Sequence, residues 1–175
     1  MSMKPRPRRT DEPQSVIGSR FIATACGRWV EVSPEDFDRL SSMSWSLAGK
    51  KGEQYPVSWQ GGRLVKMHRL IVGTPRVDHA DRNPMNCRRD NLRSCSDSQN
   101  SRNRKKRIGS HQYKGVQYRR GRYIARINHE GTSVRQVGSY DTAVDAAECY
   151  DEAARHYFGE FACVNFPKAG ERGCI

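Results

Sequence analysis

The chain has 175 residues and a formal net charge of +12 at pH 7, enough length for one ordinary domain or two small ones. So large an excess of cations makes a polyanion the default partner. No apolar run approaches the roughly 20 residues of a spanning helix, and the opening MSMKPRPRRTDEPQS does not read as a signal peptide, which sets membrane roles aside and leaves a cytoplasmic setting as the expectation.

Residues 1–18 are Pro-rich and polar and read as a disordered basic arm. From Phe21 to Val32, β-prone residues flank a Cys-Gly turn, which predicts a hairpin. Ser33 as N-cap, Pro34 at the first helical position and acids in the first turn predict a short helix ending near Leu40. The stretch YPVSWQGGRLVKMHRLIVG reads as two strands joined through Gly61-Gly62. Residues 97–107 have no apolar face and fit either a basic helix against phosphates or a solvated linker; 108–112 are a hinge. Beyond Tyr113 come three strand-like segments. Then Ala143, Ala146, Ala147, Tyr150, Ala153, Ala154 and Tyr157 stand at helical spacing, capped by Asp141 or Thr142 and stopped by Gly159. None of the six cysteines forms a Cys-x-x-Cys pair, so a structural zinc site has little support. Trp29, Trp45 and Trp59 are read as packing residues.

The charge is concentrated. Residues 61–112 hold thirteen Lys and Arg against four Asp and Glu, three quarters of the whole excess. Residues 113–139 hold six cations against one acid, and 140–167 hold one cation against six acids. A sheet with a basic face backed by an acidic helix offers DNA only the sheet.

Asp78 and His79 stand side by side in the basic stretch. Hydrolysing a phosphodiester needs a base for water, a cation for the leaving oxygen and a held phosphate. His79 suits the base at neutral pH. Asp78, pointing to the other side of a strand, suits a metal. Amide oxygens of Asn91, Asn100 or Asn103 could complete an oxygen-rich ligand set, which favours Mg²⁺ or Mn²⁺ over Zn²⁺.

The run MHRLIVGTPRVDHADRNPMNCRRDNLRSCSDSQNSRNR resembles the HNH endonuclease motif in the branch found in phage and intron homing endonucleases. The resemblance implies a ββα-metal module with Asp78 as first metal ligand, His79 as general base, Asn91 bracing the loop and orienting the base, and Asn100 as second ligand, with Asn103 as the alternative. His68 and Arg69 also match, the first as a structural residue, the second as a phosphate contact. A lead-in helix of the V-x-x-E-D-F kind and Trp45 fit the same branch.

Residues 113–167, from YKGV through GRYIARI to the closing Asn-Phe-Pro, resemble the Apetala-two, or ethylene-response-factor, DNA-binding domain. That implies a three-stranded sheet entering the major groove, backed by one helix. By position Lys114, Gln117, Arg119, Arg126, Asn128 and Gln136 fall where the family contacts DNA. Tyr123 and Gln136 stand where plant members often have Trp, and Arg126 where many have Glu, so the plant target sequence does not carry over.

The expected fold is therefore α+β. A nuclease domain over 19–107, with its core motif at 66–104, precedes the 113–167 domain and a tail at 168–175. The expected function is metal-dependent, site-specific cleavage of double-stranded DNA in a bacterial or phage-infected cell, by a monomer or weak dimer. Arg69, Arg89, Arg93, Arg104, Lys105 and Lys106 are the further candidate DNA contacts. The rival expectation is a DNA-binding regulator with an inactive HNH half.

Overall fold

The computed structural model describes residues 18–50, 53–104, 112–129 and 135–173. The basic arm, Lys105, Lys106 and most of the hinge lie outside them. The fold is mixed α and β and divides into two compact units between Ser96 and Asp97.

In the first unit, β1 (Arg20–Ala23) and β2 (Trp29–Val32) form the expected antiparallel hairpin, with Ile22 opposite Val30. Helix α1 (Pro34–Ser41) follows, with Pro34 at its start and Glu35 and Asp36 in the first turn, where acids suit the exposed N–H groups. Ser33 is the N-cap residue, but its hydroxyl makes no cap bond and accepts instead from the Arg89 N–H at 2.9 Å. Strand β3 (Ser46–Ala48), which the sequence did not announce, pairs with β4 (Tyr55–Gln60). Strand β4 turns back through Gly61-Gly62 into β5 (Arg63–Lys66).

There the sequence expectation fails. The segment after Lys66 is not a continuing strand but helix α2 (Met67–Val72), which buries Met67, His68 and Ile71. Residues 67 and 71 share a helical face, and Gly73 ends the helix in the left-handed region at φ 78°, its N–H bonded to the Arg69 carbonyl at 2.9 Å. Short strands β6 (Val77–His79), β7 (Asn86–Cys87) and β8 (Leu92–Ser94) complete the unit. β7 joins β2 in parallel, while β6 and β8 pair antiparallel.

The core of this unit is built from Val30, Val32, Leu40, Trp45, Met67, Ile71, Cys87 and Leu92 among others. The Trp45 indole N–H donates to the Leu40 carbonyl at 2.8 Å, so its one polar atom is satisfied inside the core. Trp59 departs from its expected packing role: it is 66% exposed.

The second unit begins with α3 (Asp97–Arg102). Strands β9 (Val116–Arg119), β10 (Arg122–Ile127) and β11 (Arg135–Tyr140) form an antiparallel sheet in the order β11-β10-β9. Helix α4 (Ala143–Phe158) lies across it, capped by Thr142, whose hydroxyl accepts from the Asp145 N–H at 3.1 Å. Its small residues Ala146, Ala147, Ala153 and Ala154 are buried with Tyr150, which lets the helix sit close to the strands. Asp151, also buried, accepts from the N–H groups of Asn165 and Phe166 at 2.7 Å each. Asn165 in turn accepts from the Lys114 N–H at 2.7 Å and donates to its carbonyl at 3.0 Å, so one polar chain fastens both ends of the domain to the helix.

Candidate active site and nucleic-acid interface

Pairing of β6 with β8 sets Asp78 opposite Arg93 and His79 opposite Leu92. Because side chains alternate along a strand, the carboxylate and the imidazole leave opposite faces. Both are buried. Asp78 Oδ2 accepts from Arg93 Nη2 at 2.6 Å and Nε at 3.0 Å, a compensation that a buried carboxylate requires.

The His79 ring packs edge-on against His68, with centroids 4.8 Å apart, and tilts against Tyr55 at 6.0 Å. The Lys66 ammonium lies 4.1 Å over the Tyr55 ring. Cys87 Sγ is 3.9 Å from His79 Nε2. Burial holds His79 down to about 4, against the opposing pull of Asp81 and Asp78, so at neutral pH it is an uncharged imidazole with one nitrogen able to accept a proton. Burial, with His79, Lys66 and Arg69 nearby, holds His68 lower still, at about 3. Burial also pushes the Cys87 thiol up to about 12, which keeps it protonated.

The loop from Ala80 to Asp90 is fixed by Asn91. Its amide oxygen accepts from the Asp81 N–H at 2.9 Å, its amide nitrogen donates to Asp81 Oδ1 at 2.9 Å and to the Asn86 carbonyl at 2.8 Å, and its own carbonyl accepts from the Ala80 N–H at 2.7 Å. Asp81 is the partner that sequence reasoning missed. It also accepts from the Asn83 N–H and from the Asn86 amide, both at 2.8 Å. The Asp-x-Asn-Pro run, a turn signature, was the available signal. Tyr55 and Lys66 were missed as well, because nothing in their own spacing marks them.

Asn100 is half-buried on α3 and Asn103 is buried just beyond it; both belong to the second unit. Among the described residues no three His, Cys, Asp or Glu side chains gather as a metal cluster. The carboxylate and amide oxygens that the sequence nominates are donors whose chemistry suits a hard divalent ion.

The candidate cations divide. Arg69 and Arg104 are exposed. Arg89 donates to Asp36 at 2.7 and 2.9 Å, tying β7's far end to α1. Burial pushes the Asp36 carboxyl up, but the Arg89 and Arg39 guanidiniums outweigh it and hold it below the usual carboxylate range. Arg93 serves Asp78, as described. Lys114 donates its ammonium to the carbonyls of Arg102 and Arg104 at 2.8 and 2.9 Å, closing the end of α3.

On the sheet of the second unit, Val116 pairs with Ala125 on the helix side, which places Gln117, Arg119 and Arg126 on the open side. Arg126 Nη1 donates to Gln117 Oε1 at 2.9 Å, and Gln136 lies directly across from Arg126. A bulge at Ala125/Arg126 lets both stay on that face. Arg122 joins them but is engaged by Ser139 and by Asp141 at 2.7 Å. Asn128 is exposed past the end of β10.

Known proteins resemble this chain in two ways. Residues 75–102 match the family model described as HNH endonuclease. Over 165 residues, covering 86% of this chain and 82% of the relative, the sequence is 31% identical to an uncharacterized HNH endonuclease of Acanthamoeba polyphaga mimivirus. The chain belongs to the HNH endonuclease family. The C-terminal segment matches plant DNA-binding proteins of the ethylene-response-factor type. It is 45% identical over 56 residues to dehydration-responsive element-binding protein 2A of Oryza sativa subsp. indica, covering 31% of this chain and 20% of that relative. It is 39% identical over 59 residues to protein 2D of the same kind in Arabidopsis thaliana, covering 33% and 29%. No helix among the described residues is long and apolar enough to cross a membrane.

Proposed function

We propose that the chain is a metal-dependent, site-directed DNA endonuclease of the homing type. The single observation that carries this is the neutral, buried His79 held beside Asp78 by a loop that Asn91 locks. A base nitrogen held in place, with a carboxylate on the other side of the same strand for a metal, is what in-line attack of water on phosphorus requires.

Asp78 and Asn100, with Asn103 as the alternative, are the residues that would hold Mg²⁺ or Mn²⁺. Such an ion, when bound, supplies positive charge for the phosphate and the departing 3′ oxygen. His79 takes the proton of the attacking water. Asn91 keeps the backbone around it from drifting. Arg69 and Arg104, both exposed, are the proposed phosphate contacts, and the products carry 5′ phosphates.

Site selection falls to the open sheet face. Gln117, Arg119, Arg126 and Gln136 share it, and a two-stranded ribbon fits a major groove. The relatives named as element-binding proteins support this use. A monomer with one such site nicks, whereas a dimer cuts both strands.

The test is incubation of the full chain with supercoiled plasmid in Mg²⁺, Mn²⁺ or chelator. Metal-dependent nicking, with products that a ligase reseals, is the expected result. A protein that binds duplex equally well in chelator and leaves every plasmid intact would be a regulator.

A further inference from the structure

We propose that the tip of the β4–β5 hairpin is a wedge for the minor groove of duplex DNA, with Trp59 and Leu64 as the inserted pair. The two residues are direct cross-strand partners and both are exposed, at 66% and 54%. Adjacent on the two strands, they form a contiguous exposed apolar patch, the kind of surface that marks an interaction site.

The charge of the hairpin and of the segment that follows it points to what covers the pair. From Gln54 to Val77 the chain carries Arg63, Lys66, Arg69 and Arg76 and not one Asp or Glu. Arg63 and Arg69 are exposed. An apolar pair on a purely cationic hairpin fits a polyanion with an apolar interior, which is stacked duplex DNA. The turn itself is bare. Gly61 and Gly62 adopt φ 52° and 80°, and a Cβ added to either would meet nothing within 4 Å. The backbone is therefore free to approach a groove wall.

The hairpin also ties the pair to the proposed active site. Lys66 is opposite Val57 and Leu64 opposite Trp59, so Tyr55, Val57, Trp59, Leu64 and Lys66 share one face of the sheet. Tyr55 and Lys66, at the base of that face, are the residues that pack toward His79. Tyr55 and Trp59 are four residues apart, about 13 Å along a strand. A duplex whose phosphate rests at His79 would meet the wedge about four base-pair steps away. This position rests on the nuclease reading; the wedge itself does not.

Insertion of an apolar side chain unstacks a base step and bends the duplex, and the bend brings more of the cationic surface into contact. No phosphate contact is made by Trp59 or Leu64, so their loss should not change how binding responds to salt.

The experiment uses the full chain in chelator with a mixed-sequence duplex of about 20 base pairs, about 68 Å long and so within range of energy transfer, carrying a dye at each end. Trp59→Ala and Leu64→Ala are each expected to weaken binding about tenfold, to abolish the end-to-end approach seen by energy transfer, and to leave the salt slope unchanged. Arg63→Ala should lower that slope by about one. Because both wedge residues are exposed, their variants should melt with the wild type; a duplex with a mismatched central step, already unstacked, should recover most of the lost affinity. Wild-type affinity and bending in both variants would overturn the wedge. So would a wild-type dimer that Trp59→Ala converts to monomer with DNA binding intact, which would make the pair a self-association face. If the wild type never cuts plasmid yet bends DNA through Trp59, the nuclease reading falls and the wedge stands.

Discussion

At the scale of one residue, the proposed role of Asp78 is coupled to stability. Its carboxylate is buried against the Arg93 guanidinium at 2.6 Å. Removing one partner of a buried pair leaves an uncompensated charge, at a cost of about 3 kcal/mol. Asp78→Ala is thus expected to lower the unfolding free energy as well as abolish cutting, and adding Arg93→Leu should restore much of the stability and none of the cutting. Denaturant titration beside plasmid cleavage separates the two effects. An Asp78→Ala variant as stable as wild type would show that the pair contributes nothing to folding. Asp78, His79 and Asn91 were nominated from the sequence because the motif fixes their order, and the structure buries all three. Asp81 was not, although its side chain makes three hydrogen bonds in the loop, as many as the Asn91 side chain does. Carboxylates in turns are common, and only the folded loop shows which one organises it. Trp59 was misread because composition treats every Trp as core, whereas strand register decides which face it leaves.

Elements show the same division between pattern and context. The hairpin of β1 and β2, helix α1 with its Pro34 start, and helix α4 with its alanine stripe followed from local signals. The segment MHRLIV did not. Its apolar spacing suits either period, and the burial of Met67 and Ile71 on one side decides for a helix. Close approach of α4 to the sheet makes a further claim. Gly115 sits at φ 76°, and a Cβ there would lie 1.9 Å from the Tyr150 ring. Gly115→Ala is therefore expected to destabilise the second unit by about 2–4 kcal/mol, combining strain with overpacking; a melt unchanged from wild type would mean that Tyr150 yields freely. Helix α4 is also stitched to the tail, where Arg155 donates to Glu171 at 2.7 and 2.8 Å. The Arg155 guanidinium and the Lys168 N–H hold the Glu171 carboxyl down to about 2. A carboxylate held low in the folded state stabilises above its unfolded value and ceases to do so as pH falls toward the folded one. Glu171→Gln should thus melt earlier than wild type at pH 7, by a few degrees, and together with it near pH 2. A constant gap across that window would assign the effect to packing.

Across the whole molecule, the basic excess is concentrated in residues 61–112 and on the sheet side of the second unit, while α4 carries the acids. That asymmetry is legible in the order of the residues alone, because charge counts need no fold, and it marks the surfaces proposed to meet DNA. Duplex affinity should accordingly fall steeply and log-linearly with salt. How Asp78, His79, Asn91 and the open sheet face divide binding from chemistry is the central claim, and one variant tests it. The measurement is cleavage of supercoiled plasmid by wild type and His79→Ala in Mg²⁺, Mn²⁺ and chelator, with duplex affinity measured in parallel. Metal-dependent cutting by the wild type, lost in His79→Ala while affinity stays within a few-fold, is the expected result. Cutting by His79→Ala at the wild-type rate, or equal loss of cutting and binding, would contradict His79 as the base.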